Sequence, residues 1–397
     1  MTETDVSLPE WPLKRTCPFS PPPDFRDLRD GPPRLVRHRG GLAWLISRHE
    51  DVRQALADPR MSSDDQQPNF PHRIMVPPWP RINSFWRMDQ PEHGRLRHMV
   101  MPEFTARRTR EMRPLVRELV DELLDQMADL PRPVDFATAF AVQLPCLVIA
   151  RIFGVPDEDI AFFKQQSALI LAQDRGPEVP LAAYQAMSDY LGELARAKAR
   201  RPGDDLISRL AVEYGAAGEL THDDLVGIVR LMIIAGHETT ANLLGLTVLA
   251  LLRHPAQLAE LRADAGLVHQ VIEEALRYWS ISQDNIVRVA AEDLSIGGAD
   301  IAKGDGVIIS IPSANHDESE YPDPGRFDIH RDTKNHVAFG LGPHYCPGAP
   351  LARLELEIAL PALFERFPGL RLAKDVEELS FREGALVYAV DGMLLTW

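Results

Sequence analysis

Residues 339–348 read Phe339-Gly340-Leu341-Gly342-Pro343-His344-Tyr345-Cys346-Pro347-Gly348, and the chain runs straight on into Pro350–Phe367, whose apolar spacing predicts a helix. Gly340 and Gly342 free the backbone for tight turns and for close approach to a flat ligand. Pro347 occupies a position that tolerates a missing amide at a helix start. The first-turn N–H groups and the positive end of that helix favour a thiolate at Cys346. A thiolate held by backbone amides suits a soft, electron-donating metal ligand, above all the axial ligand of a haem iron. Taken alone, Cys346 also reads as a half-buried free thiol in a loop.

Working outward, the span from about Pro91 to Tyr278 is predominantly helical in pattern. Three- and four-residue apolar spacing predicts helices over Arg110–Leu130, Asp157–Leu171, Leu181–Arg200, Thr221–Leu252 and Val268–Tyr278, with Thr221 and Asp204 as caps. The most apolar stretch, Leu231–Leu252, carries Ala235-Gly236-His237-Glu238-Thr239-Thr240 near its start. Burying a carboxylate and two hydroxyls there costs about a few kcal/mol unless partners or water compensate. Gly236 would let a bulky group lie against the helix, and a Glu–Thr pair facing it could hold water and relay protons. Threonines bonded back to the helix, with Glu238 in a buried ion pair, form the competing explanation. A zinc-protease reading fails because position 241 is Ala241. Glu274 and Arg277 lie three apart on one helix face, as do His93 and Arg97 at a spacing of four. Arg288 is a charge inside the apolar run Val287–Ala290, and each of these also reads singly as a solvated residue.

Away from the helices, Arg34–Ile46 reads as a hairpin about Gly40-Gly41, and residues 1–33 form a proline-rich extended segment. Short β-type runs follow at Leu294–Ile296, Val307–Ile311, Leu386–Val390 and Met393–Trp397. The fold class is therefore mainly α with small β-sheets (α+β). One domain, 1–397, is expected: a β-rich start at 34–60, a helical region at 91–280, a β and meander region with the cysteine loop at 281–345, and the last helix and strands at 346–397.

The chain has 397 residues, with 43 basic and 58 acidic side chains giving −15, which argues against a nucleic-acid surface. Cys17, Cys146 and Cys346 are few, odd in number and far apart, so a disulfide framework and a zinc ribbon are excluded and a reducing compartment is expected. Met1–Glu10 holds no apolar run, so neither a signal nor a membrane anchor is expected, and the chain reads as cytoplasmic.

Together these residues resemble the cytochrome P-450 haem-thiolate monooxygenases of the soluble bacterial type. The family's cysteine loop matches at Phe339, Gly342, His344, Cys346 and Gly348, its Ala/Gly-Gly-x-Asp/Glu-Thr motif at Ala235–Thr239, and its Glu-x-x-Arg motif at Glu274 and Arg277. Arg326 is the implied third member of that last set. His316 stands where an arginine is more usual. The resemblance implies the P-450 fold, a large helical region beside a smaller β-rich one, with haem b (iron protoporphyrin IX) between the two long helices. Cys346 would be the iron ligand, Phe339 would shield its sulfur, and His93, Arg97, Arg288 and His344 would bind the propionates, with Gly348 lining the loop. Glu238 and Thr239 would deliver protons on the distal side, while Glu274, Arg277 and Arg326 would be structural.

The implied reaction inserts one atom of O2 into a hydrophobic small molecule, by hydroxylation or epoxidation, using two electrons. The substrate would be a natural product under tailoring or a xenobiotic, and Phe70, Trp79, Ile234, Ala235, Ile286 and Leu386 would wall its pocket. No GxGxxG turn or iron–sulfur cysteine cluster is present, so electrons are expected from a ferredoxin-type donor with a separate reductase. His93–Arg113 carries six arginines against two glutamates, which reads either as a docking patch for an acidic ferredoxin or as a solvated helix end. No nucleic-acid partner and no membrane anchor are expected.

Overall fold

The computed structural model describes residues 8–72, 84–171, 176, 178–283, 286–382 and 385–397. Trp79 lies outside the described residues. Helices α1 (Asp24–Arg29), α2 (His49–Ala57) and α3 (Glu92–Val100) open the chain. The expected helix over Arg110–Leu130 divides into α4 (Ala106–Glu111) and α5 (Arg113–Ala128). Pro114 causes the break, because its ring cannot follow an unbroken turn and is accepted only near a helix start. Next come α6 (Gln143–Phe153), α7 (Ile160–Leu171), α8 (Glu178–Arg200) and α9 (Leu206–Leu210). The cap of α9 is Asp205, not Asp204: the Asp205 carboxylate accepts from the Ser208 amide.

The 32-residue helix α10 (His222–Arg253) starts where Thr221 accepts the Asp224 amide. It packs against α6, α8, α12 (Val268–Trp279) and α14 (Ala349–Arg366), which is why it is apolar on nearly every side. Between α10 and α12 lies α11 (Pro255–Ala263), and α13 (Ile311–Ala314) follows the sheet strands. No described helix is long and apolar enough to cross a membrane.

The strands are β1 (Arg34–His38), β2 (Gly41–Ile46), β3 (Met61–Ser62), β4 (Val134–Asp135), β5 (Val287–Ala290) and β6 (Leu294–Ile296). They continue with β7 (Ala299–Ile301), β8 (Gly306–Ile309), β9 (Arg371–Leu372), β10 (Ser380–Phe381), β11 (Val390–Asp391) and β12 (Leu394–Thr396). The main sheet has the order β1-β2-β8-β5-β3, with β2 and β8 parallel and Leu45 opposite Ile308. Alternation then sends Ile46, Val307 and Ile309 to one apolar cluster and Leu45, Ile308 and Val289 to another. The run Val307–Ile311 does not stay extended: Ser310 caps α13 and ends the strand. Nor is the N-terminal segment free coil, since the Trp11 amide donates to Arg37 O at 2.7 Å and the Trp11 ring joins the second cluster. At the C-terminus the chain between Val387 and Ala389 is bridge and coil, so the expected strand Leu386–Val390 shrinks to Val390–Asp391.

The α12 motif locks the helices to the meander. Arg277 donates twice to Glu274, at 2.7 and 2.8 Å, and once to Asn315 O at 2.8 Å, with both side chains fully buried. The third member is Arg331, whose Nε donates to Glu274 at 3.4 Å, whose Nη1 donates to Pro322 O, and whose Nη2 donates to the Asp323 and Arg326 carbonyls. Arg326 offers only that carbonyl; its own side chain is 66% exposed and pairs with Asp328 at 3.7 Å. The expected role of Arg326 is thus corrected to Arg331. His316 is buried, with Nδ1 against Pro312 O at 3.1 Å and Nε2 without a partner. Burial and the nearby Arg277 hold it neutral.

Candidate active site

The cysteine loop is shaped by its backbone. The Cys346 amide donates to Phe339 O at 2.9 Å, closing the loop on itself. Gly342 has φ +72°, and a Cβ there would meet Leu56 O at 2.7 Å, so no other residue fits against α2. The helix α14 begins at Ala349, whose amide donates to Cys346 O at 3.4 Å, and the Gly348 and Ala349 amides act on the Cys346 thiol. Burial pushes the thiol up; these amides, Arg97 and Arg353 pull it down without fully offsetting burial. A cation on the sulfur would offset that burial and complete the thiolate that the helix start favours. Arg353 covers the Phe339 ring at 4.7 Å and binds Glu273 on α12 at 2.5 and 2.9 Å. The loop is thereby clamped between two helices.

Beside this loop the expected anion-binding residues converge. His93 on α3 and His344 stack, with ring centroids 4.1 Å apart. His93 Nδ1 meets the Gln90 amide nitrogen at 3.2 Å, while its buried Nε2 has no partner. His344 Nε2 lies 3.1 Å from Ser63 Oγ. Burial, and after it the nearby arginines, lower His93 to about 4 and His344 to about 2. Arg97 donates to Tyr345 O, and Arg288, buried in β5, donates to Val287 O at 2.8 Å. Burial lowers Arg288 to about 10, with Asp89 opposing. Asp89 is itself taken up by Ser62 Oγ and, at 2.7 Å, by the Ser63 amide. This pocket edge is rich in buried donors and short of anions, which fits a group carrying carboxylates.

On α10, Ala235 is exposed and Ile234 half-buried. Thr239 Oγ1 donates to Ala235 O at 2.6 Å, leaving its oxygen as an acceptor. Gly236 does not open the helix to a ligand: a Cβ there would meet Ile149 Cδ1 at 2.7 Å, so the glycine serves packing against α6. Glu238 accepts from Arg382 Nη1 at 2.8 Å and from Asn242 at 3.4 Å. The ion pair that competed with the relay reading is thus present, and it anchors the carboxylate to the chain after β10. Of the remaining pocket residues, Phe70 is buried in the cluster with Trp11 and Val289, Ile286 borders the other sheet cluster, and Leu386 O accepts the Gln283 amide at 3.1 Å. Phe70 is a core residue rather than a wall. The motifs point to neither Arg353 nor Arg382; each acts across a long sequence separation with no local signature.

Among known proteins, the family model described as cytochrome P450 matches residues 194–389. Cytochrome P450-SU2 of Streptomyces griseolus is 44% identical over 96% of this chain and 94% of its own. Pentalenic acid synthase of Streptomyces avermitilis is 42% identical over the full length of both. The structure of mycinamicin VIII C21 methyl hydroxylase from Micromonospora griseorubida, bound to mycinamicin VIII, superposes with a TM-score of 0.94 at 38% identity, covering 98% of this chain and 100% of that one. With the cysteine loop, the donor cluster and the polar turn of α10 in one molecule, the chain belongs to the cytochrome P450 family, haem-iron monooxygenases that consume O2.

Proposed function

We propose that this chain hydroxylates or epoxidises a hydrophobic natural product, with Cys346 as the ligand of haem b. The observation that carries the reading is a sulfur at the start of α14, beside a donor cluster in which the buried Nε2 of His93 has no partner among the described residues. When bound, the haem supplies O2 activation: one oxygen atom enters the substrate and the other leaves as water, with two electrons and two protons consumed. Phe339, pinned under Arg353, keeps water from the sulfur. His93, Arg97, Arg288 and His344 set the cofactor's orientation through its carboxylates. Thr239 Oγ1, already committed as donor to Ala235 O, can accept a hydrogen bond on the distal side. Glu238, held in place by Arg382, is the carboxylate that would feed protons toward it. Trp79, Ile234, Ala235, Ile286 and Leu386 remain the expected contacts of an apolar substrate. Relatives named for pentalenic acid and mycinamicin VIII support tailoring over xenobiotic oxidation. Electrons are expected from a ferredoxin-type donor reduced by a separate reductase.

The reduced holoenzyme under CO tests the ligand. A thiolate-type Soret band is expected for the wild type and lost in Cys346→Ala; its persistence in that variant refutes the assignment of the sulfur. Spin-state titration against macrolide, terpenoid and aromatic panels then reads the substrate class.

A further inference from the structure

Arg87 closes a three-residue helical turn, Phe85–Arg87, two residues before Asp89. Its guanidinium carbon lies 3.9 Å over the Trp86 ring and 4.9 Å over the Phe70 ring. The residue as a whole is half-buried, yet Nη1 is closed off from solvent and has no hydrogen-bond partner. The like charge of Arg288 acts on it more strongly than the opposite charge of Asp65. Arg288 lies close enough for each charge to be felt, and the charge of Arg87 also reaches His344. Burial first, and then Arg288, lower Arg87 to about 9.

Among the described residues, few anions balance these cations. Asp89 is already engaged by Ser62 and Ser63, and Asp65 acts on Arg87 only through space. Two enclosed guanidinium groups that feel each other's charge carry a cost that a joining anion offsets. Aromatic faces soften the burial of one cation but leave an N–H donor unmet. The turn that carries Arg87 borders this edge of the site: its Phe85 ring lies 6.2 Å from the ring of His93, whose Nε2 is orphaned and which stacks on His344.

We propose that Arg87 is a fifth donor to the haem propionates, joining His93, Arg97, Arg288 and His344. This rests on the haem-thiolate reading above and extends it to a residue outside the family's motif set. Arg87 also couples the cofactor to the β-region, because the Phe70 ring beneath it belongs to the apolar cluster of the main sheet. The carboxylate of a substrate is the rival occupant for the same donor.

The test uses holoenzyme of the wild type, Arg87→Met and Arg87→Lys. Haem transfer to excess apomyoglobin should be roughly tenfold faster in Arg87→Met, the loss expected for one charge-assisted hydrogen bond. Arg87→Lys should restore most of the retention. Dye-coupled titration should show a more negative haem potential in Arg87→Met, since a cation near the cofactor favours the added electron. A transfer rate within about twofold of wild type, with the potential unmoved, overturns the assignment. So does a variant that keeps its haem and potential but no longer binds dodecanoate in the spin-state assay; that result gives Arg87 to the substrate. If instead the wild-type reduced CO complex lacks the thiolate spectrum, the haem-thiolate reading itself has failed, whatever Arg87 does. Circular dichroism of the three holoenzymes separates loss of haem from loss of fold.

Discussion

Cys346 and Glu355 lie nine residues apart about the start of α14 and meet burial differently. The sulfur is offered two amides and two arginines, so its buried charge has somewhere to go. Glu355 has both carboxyl oxygens enclosed without a partner, and burial holds its pKa well above the usual carboxylate range. The folded protein therefore keeps a proton there that the unfolded chain releases above about pH 4.3. For a carboxyl raised in this way, stability is greatest below the unfolded value and declines as pH rises toward the folded one. Glu355→Gln, neutral at every pH, should match the wild type near pH 4.5 and gain on it by about 1.4 kcal/mol per pH unit above about pH 5. Guanidinium unfolding of both proteins at several pH values measures the divergence, and parallel curves would mean that Glu355 is charged in the fold. Thr239 supplies the second prediction at this scale. Its hydroxyl proton is tied to Ala235 O, so Thr239→Ala removes the acceptor while leaving the helix intact. Product formed per NAD(P)H consumed should drop by about tenfold or more, with electron input maintained. Unchanged coupling removes Thr239 from the proton path.

Where two elements meet, the decisive contacts are those that a local reading does not reach. The cysteine loop was legible because its glycines, its cysteine and the following helix are contiguous, and so was Glu274–Arg277, one helical turn apart. Arg331 was not, because what selects it over Arg326 is the path of the meander: the Asp323 and Arg326 carbonyls point at the Arg331 guanidinium, and Arg326 is turned to water. Arg382 reaches Glu238 across 144 residues, and no spacing rule operates at that range. Gly236 was legible as a close approach, but whether a ligand or Ile149 makes that approach is settled only by how α6 crosses α10. The same contrast gives a test. Arg331→Ala leaves the fully buried Glu274 with one partner fewer and frees three carbonyl contacts, so a loss of about 2–4 kcal/mol is expected. Arg326→Ala removes an exposed pair and should cost less than about 0.5 kcal/mol. Denaturant unfolding of the two variants decides the matter; equal losses would return the structural role to Arg326.

Taken whole, the molecule carries −15 but does not spread that charge evenly. The helical body is built around α10 and α14, and α4 lies against α14 on the side of the helix that follows the cysteine loop. Several arginines of that neighbourhood are already spent within the fold: Arg108 on Glu103 and Glu111, Arg113 on Glu357, Arg97 on Tyr345 O. Arg107, with 84% of its side chain exposed and only a 3.9 Å approach to Glu111, and the exposed Arg110 are left facing solvent. A basic spot on an acidic molecule steers an acidic partner to one face while the remaining surface repels it, and this works mainly on the association rate. For the proposed ferredoxin-type donor, α4, packed on the helix that follows the cysteine loop, is the face toward which such steering would act. Reversing the two charges with Arg107→Glu and Arg110→Glu should therefore slow ferredoxin-driven haem reduction by roughly tenfold at low salt. The reduced CO spectrum and dithionite reduction should stay as in the wild type, since neither residue touches the haem edge. Stopped-flow reduction across an ionic-strength series supplies the decisive reading. The two rates should converge once the screening length falls to a few ångströms, about 3 Å at 1 M salt. A deficit that persists undiminished at high salt would mean that α4 acts through structure rather than charge, and no deficit at low salt would move the docking face elsewhere.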